Sequence, residues 1–382
     1  MEMLFWLSLA MVVYIYVGYP VVIKLIAARP KTIASDVAHQ PTVSILIAAF
    51  NEEKEIENTI RNKLALDYPQ DKLEIIVVSD ESEDRTDEIV ENIAKDSAIS
   101  IKLVRQIPRK GKTSGLNLIV PEAMGEIIVF SDANSLYAPN ALSELVKNFA
   151  DMKVGYVTGK MVYTSEDGSL VGDGCSSYMK YENWLREQET KVGSIVGVDG
   201  GVDAMRRELY ETLNADQLPD FVQPLKVAEK DYRVIYEPSA LLKEEALDDP
   251  GREYSMRVRV SLRALWALHD MRQLLNPLKH GVFSFQLISH KLLRYLAFIP
   301  LIWAFMANCF ILDEGAIYVL AFLGQIAFYG LAYKGKQSTT DENAPVYYTL
   351  PYYFTLLNVA CLHASWRYIK GEKQVIWKPR AG

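Results

Sequence analysis

Leu73-Glu-Ile-Ile-Val-Val-Ser79-Asp80, followed by the acidic Glu81-Ser-Glu-Asp-Arg-Thr-Asp-Glu-Ile-Val-Glu-Asn-Ile-Ala94, decides the fold of this chain. A short run rich in Val and Ile that ends on a carboxylate reads as a buried strand, and Asp84 to Ala94 keeps helical spacing. The same pair stands one unit earlier, as Val43 to Ala49 and then Glu52 to Leu66. Ile101 to Val104 and Glu126 to Ser131 are further runs of the strand kind. This βαβα rhythm predicts an α/β domain over residues 41–250, with a mainly parallel sheet covered by helices on both faces. Ligands bind such sheets at the carboxyl ends of the strands. No internal repeat or low-complexity tract occurs, which excludes a solenoid.

Outside that region the chain turns apolar. Met3 to Ile23 carries no charge and is long enough to cross a bilayer core of about 30 Å as a helix. Its length and aromatic content argue against a cleaved signal peptide. Lys24, Arg29 and Lys31 follow it, so the positive-inside rule leaves the next domain in the cytosol. The expectation is an integral protein of the plasma membrane with an N-terminal span over residues 1–28. Three later segments qualify as spans: Tyr295 to Leu312, Ala316 to Tyr333, and Val346 to Tyr368, giving a membrane region over 295–369. Four crossings would put the basic tail, residues 370–382 with Lys370, Lys373, Lys378 and Arg380, on the outside, against the positive-inside rule. Pro351 and several tyrosines leave room for a broken or re-entrant last helix.

Between the two parts, residues 252–294 read as interfacial. Val258, Leu262, Leu265, Leu268, Met271 and Leu275 form one stripe, with Arg259, Arg263, Trp266 and Gln273 elsewhere on the helix. A core helix of the soluble domain fits the same stripe. Pro277 to Arg294 carries His280 and His290 among aliphatic residues, where a His is usually solvated or capping a helix.

The 382 residues are 50% hydrophobic and carry 41 basic against 48 acidic side chains, a net charge of -7. That balance, without a basic block, argues against nucleic acid as a partner. Cys175, Cys309 and Cys361 lie in no metal-ligand spacing, so neither a zinc site nor a disulfide framework is expected.

Chemistry concentrates at strand ends. Asp80 closes one apolar run and Asp132 another, with Asn134 two residues on. Asp132 and Asn134 have the spacing to hold a hard divalent cation against a diphosphate. Capping explains either Asp equally well. Gly111-Lys112-Thr113-Ser114-Gly115 looks like the end of a P-loop, but Gln106 stands where that motif needs Gly. Lys112 remains suited to touching phosphates as a point charge.

In order along the chain, Ala48-Ala49-Phe50-Asn51-Glu52-Glu53, Val77-Val78-Ser79-Asp80, Gly111-Lys112 with Leu116-Asn117, and Phe130-Ser131-Asp132-Ala133-Asn134 resemble the nucleotide-sugar domain of glycosyltransferase family 2. Gly200-Gly201 with Arg206-Arg207, then Asp220-Phe221-Val222 with Pro224-Leu225, continue the match. The flanking helices resemble the membrane-bound cellulose and hyaluronan synthase-like branch.

The resemblance implies a GT-A fold and an inverting transfer of sugar from a nucleotide-sugar donor, a UDP-sugar ahead of a GDP-sugar. Asp80 would accept a hydrogen bond from the base, with Ala49, Asn51 and Glu52 lining the same pocket and Lys112 on the phosphates. Asp132 and Asn134 match the family's Asp-x-Asp and would hold Mg²⁺ or Mn²⁺; Asn134 replaces the second Asp. Asp220 matches the catalytic base, with Asp216 as a neighbouring competitor and Pro219 in place of the usual acidic residue. The Gln-x-x-Arg-Trp motif falls on Met256 to Val260 and keeps only Arg259, which would grip the diphosphate, with Arg257 and Arg263 as competitors. On the acceptor side stand Gly200, Gly201, Tyr181 and Trp184; Tyr178, Tyr181 and Trp184 also suit core packing. The acceptor would be a polysaccharide or lipid-linked glycan among membrane lipid, with export partners for a secreted product. Transfer of a single sugar to a lipid carrier, or a nucleotide-sugar-binding subunit without catalysis, are the alternatives.

Overall fold

Strands Val43–Ala49 (β1), Leu73–Ser79 (β2), Ser100–Arg105 (β3) and Ile127–Asp132 (β4) form the parallel half of an eight-stranded sheet. Leu136–Tyr137 (β5), Val154–Thr164 (β6), Asp203–Arg206 (β7) and Arg233–Glu245 (β8) complete it in the order β3-β2-β1-β4-β7-β6-β8-β5. β7 runs antiparallel to both β4 and β6, so the sheet is mixed. The computed structural model describes residues 1–164, 173–245, 250–337 and 345–374; the side chain of Cys175 and tail residues 375–382 lie outside the described residues. Contacts divide the chain into two compact units. One comprises Arg29–Leu170 and Glu189–Glu245 with the C-terminal residues; the other comprises Met1–Ala28, Val171–Gln188 and Ala246–Lys373.

In the sheet unit the alternation of strand side chains feeds two cores. Ile45 and Ile47 point to the face covered by Ile56 and Ile60 of helix Ile56–Leu64 and by Val90 of helix Thr86–Asp96. Leu46, Ile76 and Val78 point to the other, under Leu116 and Ile119 of helix Lys112–Ile119. Each such Ile or Leu is almost fully buried and contributes about 1.5–3 kcal/mol. Register places Ala49 beside Ser79, and Ala48 beside both Val78 and Asp132, so three strand ends deliver their following loops to one edge. Asp80 caps no helix: the helix after β2 opens at Thr86, whose N–H Asp84 Oδ1 accepts at 3.0 Å. Asn134 likewise lies in a turn, away from helix Ala141–Val146.

The other unit is helical. Helix Glu2–Ile26 packs Phe5 against Ala307, Ile311 and Tyr318. Helix Pro250–Asp270 buries Val258, Leu262 and Leu265 against Ala360 and Ala364 of helix Val346–Ile369. The expected stripe continues through Leu268 and Met271, then shifts from Leu275 to Leu274 because the helix ends at Asp270. Among the described residues two helices are apolar and long enough to span a membrane, Glu2–Ile26 and Ala316–Gln337; the pair Val282–Tyr295 and Phe298–Cys309, bent by 57°, makes a third if it counts as one span. Phe298–Cys309 alone is only about 18 Å long. Val346–Ile369 is one unbroken helix despite Pro351, and its tyrosines, Asn358, His363 and Arg367 make it less apolar than the two helices named above. His290 is corrected. It is buried rather than solvated, with Nε2 3.2 Å from Glu182 Oε2.

Candidate active site

Lys112 stands between two carboxylates, its Nζ 2.7 Å from Asp132 Oδ1 and 3.7 Å from Asp220 Oδ1. Gly111, at φ 89°, lets the chain turn into the helix whose first residue is Lys112. Burial alone would lower the Lys112 ammonium, but Asp132 and Asp220 outweigh it and raise its pKa above the usual lysine range. The group therefore stays cationic at any working pH.

Asp220 lies in the first turn of helix Pro219–Glu229, where the helix dipole favours an anion. Pro219 takes the N1 position, which needs no N–H donor, so a substitution that looked adverse in the sequence starts the helix. Thr113 Oγ1 donates to Gln217 O at 2.9 Å and Asn117 Nδ2 to Leu213 O at 2.7 Å, tying the Lys112 helix to the segment that delivers Asp220.

Gly200 and Gly201, at φ 78° and 75°, back both carboxylates. A Cβ on Gly200 would lie 3.2 Å from Asp220 Oδ2, and one on Gly201 would lie 3.5 Å from Asp132 Oδ2. Helix Ile56–Leu64 grips the turn after Asp132 from beneath. Thr59 Oγ1 donates to Ala133 O at 2.6 Å, and Lys63 Nζ to Ser135 O at 2.5 Å. Burial holds the Lys63 amine well below the usual lysine range, against the pull of Asp132.

Asp80 does not present free oxygens. Its Oδ1 accepts from Gln106 Nε2 (2.5 Å) and the Lys110 N–H (2.9 Å), and its Oδ2 accepts from the Gly111 N–H (3.0 Å). At 5% exposure it holds the loop that carries Lys112, and Gln106, the residue that broke the P-loop pattern, is part of that clasp. Arg109, also beside Asp80, lies 3.4 Å over the ring of Phe50. Asn51, at φ 54°, accepts the Glu83 N–H on Oδ1 at 2.9 Å, and the Glu52 N–H donates to Thr86 Oγ1 at 2.8 Å, so the loops after β1 and β2 brace each other.

Asp203 was not expected. It opens β7 beside Phe130 and Thr158 and is fully buried; burial first, and Asp220 second, push its pKa up to about 8. The legible signal was an Asp inside the apolar Val202-Asp203-Ala204-Met205. Arg206 and Arg207 are structural: Arg206 donates to Phe149 O at 2.7 Å and Val154 O at 2.9 Å, and Arg207 to Gly125 O at 2.8 Å.

A hard divalent cation fits here by donor chemistry. Asp132 offers a partly exposed carboxylate and Asn134, in the turn that follows, an amide oxygen, and Gly201 backs Asp132 without a side chain. Among the described residues no group of three or more His, Cys, Asp or Glu converges for a metal, so a donor diphosphate would have to complete the ligand set.

The remaining expected residues belong to the helical unit. Arg259 is half-buried on helix Pro250–Asp270. Its competitor Arg257 is bound to Glu253 at 2.7 Å and to Tyr353 Oη at 2.5 Å. Tyr181 donates to Tyr16 O at 3.1 Å, and Trp184 is half-buried. Trp266 donates to Glu372 O at 2.8 Å and packs on Tyr368.

Residues 44–213 match the family model described as Glycosyl transferase family 2. The beta-monoglucosyldiacylglycerol synthase of Trichormus variabilis is 30% identical over 191 residues, 49% of this chain and 41% of that protein. The poly-beta-1,6-N-acetyl-D-glucosamine synthase of Staphylococcus aureus is 25% identical over 222 residues, 57% of this chain and 53% of that protein. This chain thus spans about half the length of these relatives. Among solved structures, the mannosyltransferase PcManGT from Pyrobaculum calidifontis, in complex with GDP-Man and Mn²⁺, shares the fold at a TM-score of 0.75, covering 97% of this chain and 99% of that one at 23% identity. The sheet unit is accordingly a GT-A fold.

Proposed function

We propose, for a chain whose residues 44–213 match the glycosyl transferase family 2 model, that the protein is a membrane-bound inverting glycosyltransferase that moves a sugar from a nucleoside diphosphate donor to a hydroxyl of a lipid or glycan acceptor. The observation that carries this reading is Lys112 set between Asp132 and Asp220. One permanent cation and two carboxylates meet where three strand ends open.

Asp220 takes the proton of the acceptor hydroxyl as that oxygen attacks the anomeric carbon. The glycosidic bond forms as the bond to the diphosphate breaks, in one displacement that inverts the carbon. Lys112 supplies positive charge to the departing diphosphate, whose stabilisation is the electrostatic core of the reaction. A Mg²⁺ or Mn²⁺ held by Asp132 and Asn134 would supply further neutralisation of that leaving group. Asp80 keeps the Lys112 loop in place and is the residue to test for base recognition. Gly200 sets the position of Asp220.

The relatives' names support a membrane-resident acceptor, a diacylglycerol-derived lipid in one case and a polysaccharide in the other. Transfer of a single sugar to a lipid is favoured by one substitution: Val260 stands where the synthase motif carries its Trp. With three crossings, the segment after Gln337 returns to the side of the membrane that holds residues 29–281, so Arg367, Lys370 and Lys373 join Lys24, Arg29 and Lys31 on the cytosolic side. Three crossings would accord with the positive-inside rule, as four would not.

Release of nucleotide from UDP- and GDP-sugars by membranes carrying the protein, with and without metal, tests the activity. Product analysis separates the two outcomes: a ladder of lengths would overturn single-sugar transfer.

A further inference from the structure

Lys63 is fully buried on helix Ile56–Leu64, and the proposed reaction gives it no role. Its Nζ donates to Ser135 O at 2.5 Å and to Asn62 Oδ1 at 3.1 Å, and it lies 3.5 Å above the centre of the Tyr137 ring. An amine that meets a carbonyl, an amide oxygen and a ring face, rather than a carboxylate, loses its hydration without gaining an ion pair. A methionine would fill the same space without that loss. The lysine therefore costs the fold stability, and what its amine holds is the turn that follows Asp132.

Thr59 makes a second hold on that turn. It stands one helical turn before Lys63, so the two side chains share a face of the helix. Thr59 Oγ1 donates to Ala133 O at 2.6 Å and Lys63 Nζ to Ser135 O, so the carbonyls of the residues before and after Asn134 are both tied to that face. The turn is also closed on itself, the Ser135 N–H donating to Asp132 O at 3.2 Å. Asn62 fastens the exit: its Nδ2 donates to Tyr137 O at 2.9 Å and its Oδ1 accepts the Tyr137 N–H at 2.8 Å. Tyr137 Oη in turn donates to Gly201 O at 2.6 Å, and Gly201 backs Asp132. Ile56 and Ile60 anchor the same helix in the sheet core.

We propose that Lys63 is a positioning residue for the divalent cation: by holding Ser135 O, with Thr59 on Ala133 O, it keeps Asn134 and Asp132 set to offer their oxygens to one metal ion. Lys63 and Thr59 are both fully buried, so neither touches metal or substrate. A neutral amide oxygen is a weaker ligand for a hard cation than a carboxylate, so its contribution depends on being held in place before the cation arrives. The inference rests on the reading of Asp132 and Asn134 as metal ligands given above. It requires a loss of metal affinity, not of turnover at saturating metal, when the hold is removed.

The test is Mn²⁺ binding by the purified full chain in detergent, with UDP and separately with GDP, read as loss of the electron paramagnetic resonance signal of free Mn²⁺ and needing no turnover. Lys63→Met is expected to weaken Mn²⁺ binding about tenfold. Thr59→Val, the same shape without the hydroxyl, is expected to weaken it about threefold, the worth of one hydrogen bond, and Thr59→Ser, which keeps the hydroxyl, to bind as the wild type does. In nucleotide release the half-saturating Mn²⁺ concentration rises by the same factors, while kcat at saturating Mn²⁺ changes by less than about twofold. Wild-type Mn²⁺ affinity in Lys63→Met overturns the proposal. Equal affinity in Thr59→Val and Thr59→Ser overturns it as well, and that pair decides alone where Lys63→Met does not fold. A wild-type protein that takes up no Mn²⁺ with either nucleotide removes the metal reading itself, a failure distinct from that of Lys63.

Discussion

Gly200 leaves no room for a side chain against Asp220: a Cβ on it would sit 3.2 Å from Asp220 Oδ2, at a backbone φ of 78°. The position of the proposed base is therefore set by an absent side chain. Gly200→Ala adds left-handed strain of about 1–2 kcal/mol and pushes on the carboxylate. The expected result is a modest fall in thermal midpoint with at least a tenfold loss of kcat; unchanged turnover would remove Gly200 from the site.

Lys112→Met removes the cation between Asp132 and Asp220. Leaving two neighbouring carboxylates without it, and the diphosphate without its ammonium, is expected to lower kcat/KM about 10²–10³-fold. Lys112→Arg should recover part of that loss if charge is what matters. Steady-state nucleotide release measures both.

Asp203 gives a pH signature. An unfolded Asp titrates near 3.9, whereas the folded group is pushed up to about 8, so the native state holds the extra proton between those values. Its protonated form is accommodated without cost at low pH, and stability falls as pH rises from about 4 toward 8, by a few kcal/mol at most. Asp203→Asn removes that dependence. The wild-type thermal midpoint is expected to drop between pH 6 and 8, and the variant's to stay level across the same range. Parallel profiles would show that Asp203 does not carry the slope.

Asn134 supplies a neutral oxygen where a second carboxylate would bind a cation more strongly. Asn134→Asp is expected to lower the half-saturating Mg²⁺ or Mn²⁺ concentration on the order of tenfold. Chelation should abolish turnover of the wild-type protein. A metal titration that the substitution leaves unmoved would take Asn134 out of the ligand set.

β1, β2 and β4 were legible because both faces of each are buried, so the strands read as unbroken apolar runs. The second half of the sheet was not. β6 and β8 mix polar and apolar residues and pair with register shifts at Val154/Tyr156 and Thr158/Lys160, which blur any alternation. At the site, the strand-end carboxylates and Lys112 stood out by position, but their mutual approach depends on Gly200, Gly201 and helix Pro219–Glu229, all distant in sequence. Asp80 was legible as a strand-end acid, and its partners were not: Gln106 had registered only as a departure from a phosphate-loop pattern. His290 was misread because nothing local reveals that Glu182, 108 residues earlier, pairs with it.

Asp220 is the proposed base of a sugar transfer from a nucleoside diphosphate donor. Release of nucleoside diphosphate by the purified full chain, with lipid acceptor and Mn²⁺ across a panel of UDP- and GDP-sugars, measures it directly against Asp220→Asn. Metal-dependent release from at least one donor is expected, lowered about 10²–10⁴-fold by the substitution while donor binding is kept. Release from no donor, or equal release by both proteins, would contradict it.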